Sequence, residues 1–293
     1  MDLENKAIER IKLASSMSLH NYEKPLLLTY SGGKDSDLLL DLAIKSKIPF
    51  EVINSHTTAD APQTVYHIQK KFRDLELKGI KCSIVKPIYQ GNLITMWNLI
   101  PRKLLPPTRL MRYCCKVLKE TAGDGRMIAT GVRWSESSKR ANSRGILEVY
   151  SDVKDKKIVL TNDNDDKRQL IERCEMRAKT ISNPIIDWND NDVWQYIDSE
   201  SVEVNPLYQR GFDRVGCIGC PLACKRKREF EFSVFPKYKE LYIHAFNRMI
   251  EVRISKGMPT EWITGRDVFD WWMMDAQVPG QMKLDDYSDR LPW

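Results

Sequence analysis

Two sets of residues in this chain have the types and spacing to do chemistry. The first is Tyr30-Ser31-Gly32-Gly33-Lys34-Asp35-Ser36, directly after the apolar run Leu26-Leu27-Leu28. A short apolar run before a glycine pair predicts a buried strand ending in a tight turn. Ser36 is a capping residue type, and residues 37–47 have the apolar pattern of an amphipathic helix. Strand, glycine turn and helix N-terminus together make an anion site. Backbone N–H groups point outward, the helix dipole favours negative charge, and glycine admits a phosphate close to the backbone. Lys34 adds a mobile positive charge, and Asp35 is placed to hold a magnesium ion or steer the loop. The spacing fits neither the Walker pattern nor the Gly-x-Gly-x-x-Gly dinucleotide loop.

The second set is made of thiols, in Tyr113-Cys114-Cys115-Lys116 and Gly216-Cys217-Ile218-Gly219-Cys220-Pro221. A Cys-x-x-Cys loop can place two sulfurs on one metal. Adjacent cysteines diverge, which suits a [4Fe–4S] cube with spread iron atoms better than one small zinc ion. Cys114, Cys115, Cys217 and Cys220 therefore read as a four-thiolate set for a [4Fe–4S] cluster. Zinc binding and redox chemistry remain open for the Cys-x-x-Cys loop by itself. Cys217, Cys220 and Cys224 form an alternative compact group. Cys82 and Cys174 read as buried, inert thiols.

Elements must position these residues. Strands are expected at 26–30, 50–54, 81–86 and 127–132, with helices between them, one over 61–77. That alternation implies an α/β, Rossmann-like parallel sheet with helices on both faces and right-handed crossovers. Ligand should lie beyond the carboxyl ends of the strands, where strand order reverses, and both 31–36 and Gly131 to Arg133 fall on that edge. Residues 154–168, with a strand at 156–161 and a polar turn at 162–166, read as an exposed hairpin or flap. A short helix is expected over 190–200 and a longer one over 236–256. The organisation is an N-terminal helix (1–24), a nucleotide-binding domain (25–212), and a cysteine loop with a C-terminal helical extension (213–293).

Composition agrees with a globular protein: 293 residues, 42% hydrophobic and 29% charged. No run has membrane-span length and the first 24 residues are too polar for a signal peptide, so a cytoplasmic protein with no membrane association is expected. In a reducing compartment seven cysteines point to metal rather than disulfides. A net charge of +6 suits anionic substrates and permits nucleic-acid binding.

Four stretches carry a resemblance. They are Ser31 to Ser36; Tyr113 to Lys119; Gly131-Val132-Arg133-Trp134-Ser135-Glu136-Ser137 with Arg140; and residues 184–220, containing Asp187-Trp188, Asp192-Val193-Trp194 and Asn205-Pro206-Leu207-Tyr208. In this order they resemble the phosphoadenosine-phosphosulfate (PAPS/APS) reductase family of the PP-loop adenine-nucleotide alpha-hydrolase superfamily. The cysteine arrangement is similar to its iron–sulfur branch, to the DNA phosphorothioation sulfurtransferases and to phage reductase-like proteins. The resemblance covers roughly residues 25 to 222. It implies that Ser31, Gly32, Gly33, Lys34, Asp35 and Ser36, with Gly131, hold nucleotide phosphates. It implies that Arg133 and Arg140 contact phosphate or sulfate, with Glu136 orienting an arginine. Catalytic roles would fall to Lys34, Asp35, Arg133 and Arg140. Asp60 aligns only loosely with a substrate-side loop.

One departure matters. The reductases of this family carry a nucleophilic cysteine near the C-terminus, whereas after Cys224 this chain has no cysteine. Three readings follow. The first is an ATP-using, magnesium-dependent adenylating enzyme linked to sulfur transfer, with a nucleic-acid phosphate as acceptor and a cysteine desulfurase or thiol reductant as partner. The second is an adenylyl-sulfate reductase with Cys224 as relocated nucleophile. The third is a non-catalytic zinc protein whose segment Lys225-Arg226-Lys227-Arg228 contacts nucleic acid. The stripe Phe230, Phe232, Phe235, Tyr238, Leu241, Tyr242 and Phe246 reads as core packing or a subunit contact, and a homo-oligomer is expected. Trp262, Trp271, Trp272 and Trp293 read as packing the tail onto the main domain, with exposure of Trp271-Trp272 at a partner surface as the alternative.

Overall fold

The computed structural model describes residues 2–119, 123, 125–150, 157–163, 179–258 and 260–274. They form two compact units. One holds Met1–Ile94 and Cys115–Cys217, the other Thr95–Cys114 and Ile218–Trp293.

The first unit is built on a sheet of seven strands among the described residues. In chain order these are β1 (Leu26–Thr29), β2 (Phe50–Ser55) and β3 (Cys82–Val85), then, beyond a small β4–β5 hairpin (Ile88–Tyr89, Asn92–Leu93), β6 (Met127–Ala129), β7 (Leu147–Tyr150), β8 (Lys157–Leu160) and β9 (Thr180–Ser182). Spatial order is β3-β2-β1-β6-β9-β7-β8. The run β3 to β9 is parallel, with Leu26 opposite Phe50, Leu27 opposite Ile128 and Met127 opposite Thr180. The expected parallel α/β sheet is therefore present, with strands that read as near-continuous apolar runs because both faces are covered. The edge differs from expectation. β8 pairs antiparallel with β7, and β7 antiparallel with β9, so the 156–161 strand extends the main sheet rather than forming a separate flap. Its apolar Val159 and Leu160 find partners in β7. Residues 164–178, including Cys174 and most of the expected 162–166 turn, lie outside the described residues, as do 275–293 with Trp293.

The helices of this unit are α1 (Leu3–Tyr22), α2 (Lys34–Lys45), α3 (Pro62–Glu76), α5 (Tyr113–Leu118), whose first two residues belong to the second unit, α6 (Ser138–Ser143) and α7 (Asp190–Ser199). Pro62 opens α3 at the first helical position, where its missing N–H loses nothing. α2 begins three residues earlier than its expected start, with Gly33 rather than Ser36 as N-cap. The Tyr208 hydroxyl accepts the Lys34 N–H at 2.9 Å, and the Ser36 hydroxyl turns back to Gly33 O at 2.7 Å. A tertiary partner supplies the cap that the local sequence offered through Ser36. Ala7, Ile11, Leu26, Leu28, Leu38, Leu42, Val52, Met127, Ile185 and Val193 form one core between sheet and helices. Each fully buried Leu, Ile, Val or Met among them is worth roughly 1.5–3 kcal/mol.

The second unit is helical: α4 (Met96–Lys103), α8 (Lys225–Val234), α9 (Pro236–Ser255) and α10 (Gly265–Met273). Its core is aromatic. The Trp272 ring lies 4.7 Å from Tyr242 and 5.5 Å from Phe246, and Trp97 stands edge-on to Tyr242 at 5.0 Å. Phe232, Tyr242 and Phe246 of the aromatic stripe are thus core, with Trp272 buried among them, while Phe235 and Tyr238 are half-buried and Phe230 and Leu241 exposed. The basic run is corrected. Arg228 is fully buried, with its guanidinium 4.1 Å over the Trp272 ring and Nη2 donating to Trp272 O at 3.0 Å. Only Lys225, Arg226 and Lys227 reach solvent. Among the described residues no helix is long and apolar enough to cross a membrane.

Candidate functional site

β1 and β6 are neighbours whose chain continuations leave in opposite directions across the sheet, which is the reversal that opens a crevice at the strands' carboxyl ends. The loop after β1 is residues 30–33 and the loop after β6 is residues 130–133. Gly32 has φ +73°, and a Cβ there would sit 2.9 Å from Ile68 Cγ1. Gly131 is required for a different reason: a Cβ would meet the backbone oxygen of Asp35 at 2.9 Å. The two loops therefore touch through main chain. Asn205 Nδ2 donates to Gly32 O at 3.0 Å and to Thr64 Oγ1 at 3.1 Å, which fixes the glycine turn from below.

Lys34 and Arg133 are both buried, so their charges must be paired. Arg133 Nε donates to Asp35 Oδ1 at 2.7 Å and Nη2 to Asp190 Oδ1 at 2.7 Å. Its Nη1 donates to Ser135 Oγ at 2.8 Å and to Trp188 O at 3.3 Å. Lys34 Nζ donates to Asp190 Oδ1 at 2.9 Å and lies 3.4 Å from Asp35 Oδ1. Burial opposes ionisation of Asp190, yet hydrogen bonds from Lys34 and Arg133 outweigh it and hold the carboxyl below its usual range. Burial pushes the Tyr208 hydroxyl well above its ordinary value, so it stays protonated at neutral pH. This network carries two positive and two negative charges around the mouth of a helix N-terminus.

The structure brings Ser31, Gly32, Gly33, Lys34, Asp35, Ser36, Gly131 and Arg133 together. Arg140 stands apart from them: its Nη1 pairs with Glu136, whose Oε2 also accepts the Arg133 backbone N–H at 3.0 Å. Glu136 thus joins the two arginines. Asp190, Tyr208 and Asn205 were not singled out as site residues by sequence. Asn205 and Tyr208 lie in the Asn205-Pro206-Leu207-Tyr208 stretch that carries the resemblance, and the signal of Asp190 was position, since it opens the helix after β9, on the same edge as the two loops.

The cysteines divide between the units. Cys114 is buried, Cys115, Cys217 and Cys220 half-buried, and Cys224 exposed. Cys217 Sγ donates to Thr57 Oγ1 at 3.4 Å, Thr57 Oγ1 donates to Asp60 Oδ2 at 2.6 Å, and Asp60 bridges the Cys217 backbone. Asp60, given little weight by sequence, therefore sits beside a site candidate. In the second unit Gly219 N donates to buried Glu231 at 2.7 Å and Tyr242 OH to Ile218 O at 2.9 Å, which fixes the peptide between Cys217 and Cys220. Four thiolates are the donor chemistry of a [4Fe–4S] cluster. Among the described residues, however, no three or more His, Cys, Asp or Glu side chains are gathered closely enough to hold a metal ion. Burial pushes the Cys82 thiol up to about 11, consistent with an inert thiol.

The chain is similar to known proteins. The chain is 27% identical over 290 residues to an uncharacterised protein of Methanocaldococcus jannaschii, covering 96% of this chain and 59% of that one. It is 26% identical over 221 residues to sulfate adenylyltransferase subunit 2 of Agrobacterium fabrum, covering 70% and 62%. Both relatives are longer, and the chain spans less than two thirds of each. A phosphoadenylyl-sulfate reductase from Candida auris, solved with phosphate, superposes with a TM-score of 0.47 at 18% identity, over 72% of this chain and 88% of that one. The model of the phosphoadenosine phosphosulfate reductase domain matches residues 25–223, and the chain belongs to that family.

Proposed function

We propose that the protein uses ATP to adenylate an acceptor oxygen and so prepares it for sulfur transfer, with a nucleic-acid phosphate as acceptor. The observation that carries this reading is the convergence of two buried cations, Lys34 and Arg133, on the mouth of the Gly32-Gly33 turn at the start of α2. An acceptor oxygen attacks the alpha phosphorus and the bond to the bridging oxygen breaks. Pyrophosphate leaves with the electron pair. A sulfur nucleophile then displaces AMP from the activated acceptor. Lys34, Arg133 and the loop amides stabilise the charge that develops on the phosphates, and magnesium would neutralise the leaving pyrophosphate. Gly131, Asp35 and Ser36 shape the loop, and Arg140 acts through Glu136.

Cys114, Cys115, Cys217 and Cys220 are the residues proposed to hold a [4Fe–4S] cluster. Iron and acid-labile sulfide in anaerobically purified protein, lost together in Cys217→Ser, test this separately from activity. Zinc in their place overturns it. For the reaction, pyrophosphate release from ATP is measured across candidate acceptors. Release that depends on an acceptor supports the proposal. Silence beside good sulfite release from an adenylyl sulfate overturns it.

One observation favours a second reading, reduction of an adenylyl sulfate. Cys224 is exposed at the N-cap of α8 and is followed by Lys225, Arg226 and Lys227, so a reachable thiol stands beside cations that suit an anionic sulfonucleotide. Sulfite release with thioredoxin as reductant, abolished in Cys224→Ser, distinguishes it.

A further inference from the structure

Asp190 is the exposed member of a network whose cations are buried. Its side chain keeps 64% of its accessible surface, while those of Lys34 and Arg133 keep 6% and 3%. A single oxygen, Oδ1, receives Lys34 Nζ at 2.9 Å and Arg133 Nη2 at 2.7 Å. A lysine point charge and an arginine fork meeting on one anionic oxygen is how proteins hold phosphate. The carboxylate accepts none of the hydrogen bonds that cap α7. Asn189 Oδ1 accepts the N–H groups of Asn191 and Asp192, and the Asp192 carboxylate accepts the N–H of Asn189, so the helix is capped without Asp190. Asp35, the other carboxylate on these cations, belongs to the loop itself and accepts Arg133 Nε through Oδ1. Asp190 reaches them from a separate element, and its exposure leaves it free to swing into water.

We propose that Asp190 is a specificity-determining residue of the nucleotide site, an internal counter-anion that an incoming phosphate group must displace from Lys34 and Arg133. The inference rests on the reading of these residues as a nucleotide site. In the ligand-free protein Asp190 keeps two buried cations paired, which stabilises the site. When ligand arrives the same carboxylate is a competitor and, once displaced, a like charge beside the phosphates. Affinity is then set by what a ligand offers those two cations beyond one carboxylate oxygen. Its adenosine part, which leaves the cations alone, does not feel Asp190.

The test is calorimetric titration of the full chain with ATP and with adenosine, in buffers with and without magnesium, for wild type, Asp190→Asn and Asp190→Ser. Far-UV circular dichroism and a thermal melt establish that both variants are folded. Asp190→Asn is expected to bind magnesium-free ATP about tenfold tighter than wild type, the order of effect of removing one like charge at a half-solvated site. Adenosine binding is expected to be unchanged. Equal or weaker ATP binding by both folded variants overturns the inference. So does weakening confined to the magnesium buffer, which would make Asp190 a metal-side carboxylate. If wild type binds ATP and the variants gain nothing, only the role of Asp190 falls. If no protein binds ATP, the nucleotide reading falls with it.

Discussion

At the scale of single residues, the site depends on a main-chain contact between two loops. Gly131 leaves no room for a side chain against the Asp35 carbonyl. Gly131→Ala is expected to lose about 1–3 kcal/mol in a denaturant titration, the range for overpacking a close contact. ATP affinity should fall with it, because the loop carrying Lys34 must move. Lys34→Ala leaves the fold and is expected to lower acceptor-dependent pyrophosphate release about a hundredfold, the size of losing one preorganised charge contact. The loop residues were legible because glycine pairs, a lysine and a following apolar helix pattern are local signals. Asp190, Tyr208 and Asn205 were not, because their roles exist only once α7 and the 205–210 turn fold back onto the β1 loop. Arg228 shows the limit from the other side. In sequence it is one of four basic residues in a row, and only its packing on Trp272 makes it a buried structural cation.

At the scale of elements, α1 is fastened to the sheet's carboxyl edge by one buried arginine. Arg10 Nη1 donates to Pro184 O at 2.9 Å and to Asp187 Oδ1 at 2.8 Å, while Nε donates to Asp163 Oδ1 at 2.8 Å. Burial works against both carboxyls, but hydrogen bonds from Arg10 hold Asp163 and Asp187 below their usual range. Carboxyls depressed in the folded state contribute stability that is present above the unfolded value of about 3.9 and lost as pH falls through the folded value. Arg10→Met is therefore expected to cost about 2 kcal/mol near neutral pH, since it removes charge-assisted hydrogen bonds and leaves Asp163 and Asp187 with Lys6, 3.6 Å and 2.7 Å away, as a remaining cation. The gap from wild type should close below pH about 4, as both carboxyls protonate. Thermal melts from pH 7 to pH 3 check both statements. The same scale shows what sequence patterns could reveal. β1, β2, α3 and α9 emerge near their expected bounds because apolar runs and helical spacing are strong there. β7, Leu147-Glu148-Val149-Tyr150, and β9, Thr180-Ile181-Ser182, are as short as β1 and β6 but break their apolar residues with polar ones, so no apolar run announces them. Without them the antiparallel edge could not be foreseen.

At the scale of the whole molecule, the nucleotide candidates lie in the first unit and the aromatic core in the second. Saturating ATP is expected to raise the melting transition of the first unit, by about 2.7 kcal/mol of stability at a hundred times Kd. Calorimetric scans with and without ATP would show it. A shift no larger than that given by adenosine would speak against phosphate binding.

The second unit is discontinuous in the chain, and this has a consequence for biosynthesis. Its helix α4 emerges from the ribosome more than a hundred residues before α9 and α10, yet its partners are there. Trp97 packs on Tyr242, Asn98 Oδ1 accepts from Arg248 at 2.9 Å, and the Leu104 carbonyl accepts from Arg253 at 2.8 Å. Trp272 Nε1 closes the set on Pro107 O at 2.6 Å. While the intervening strands are being made, Trp97, Leu99 and Ile100 have no native surface to cover them. Such long-range closure folds slowly and leaves the nascent chain open to aggregation. A chain halted at residue 217 is expected to accumulate as insoluble protein or in complex with a chaperone. Trp97→Ser in that shortened chain should partly restore its solubility, measured as the soluble fraction after expression.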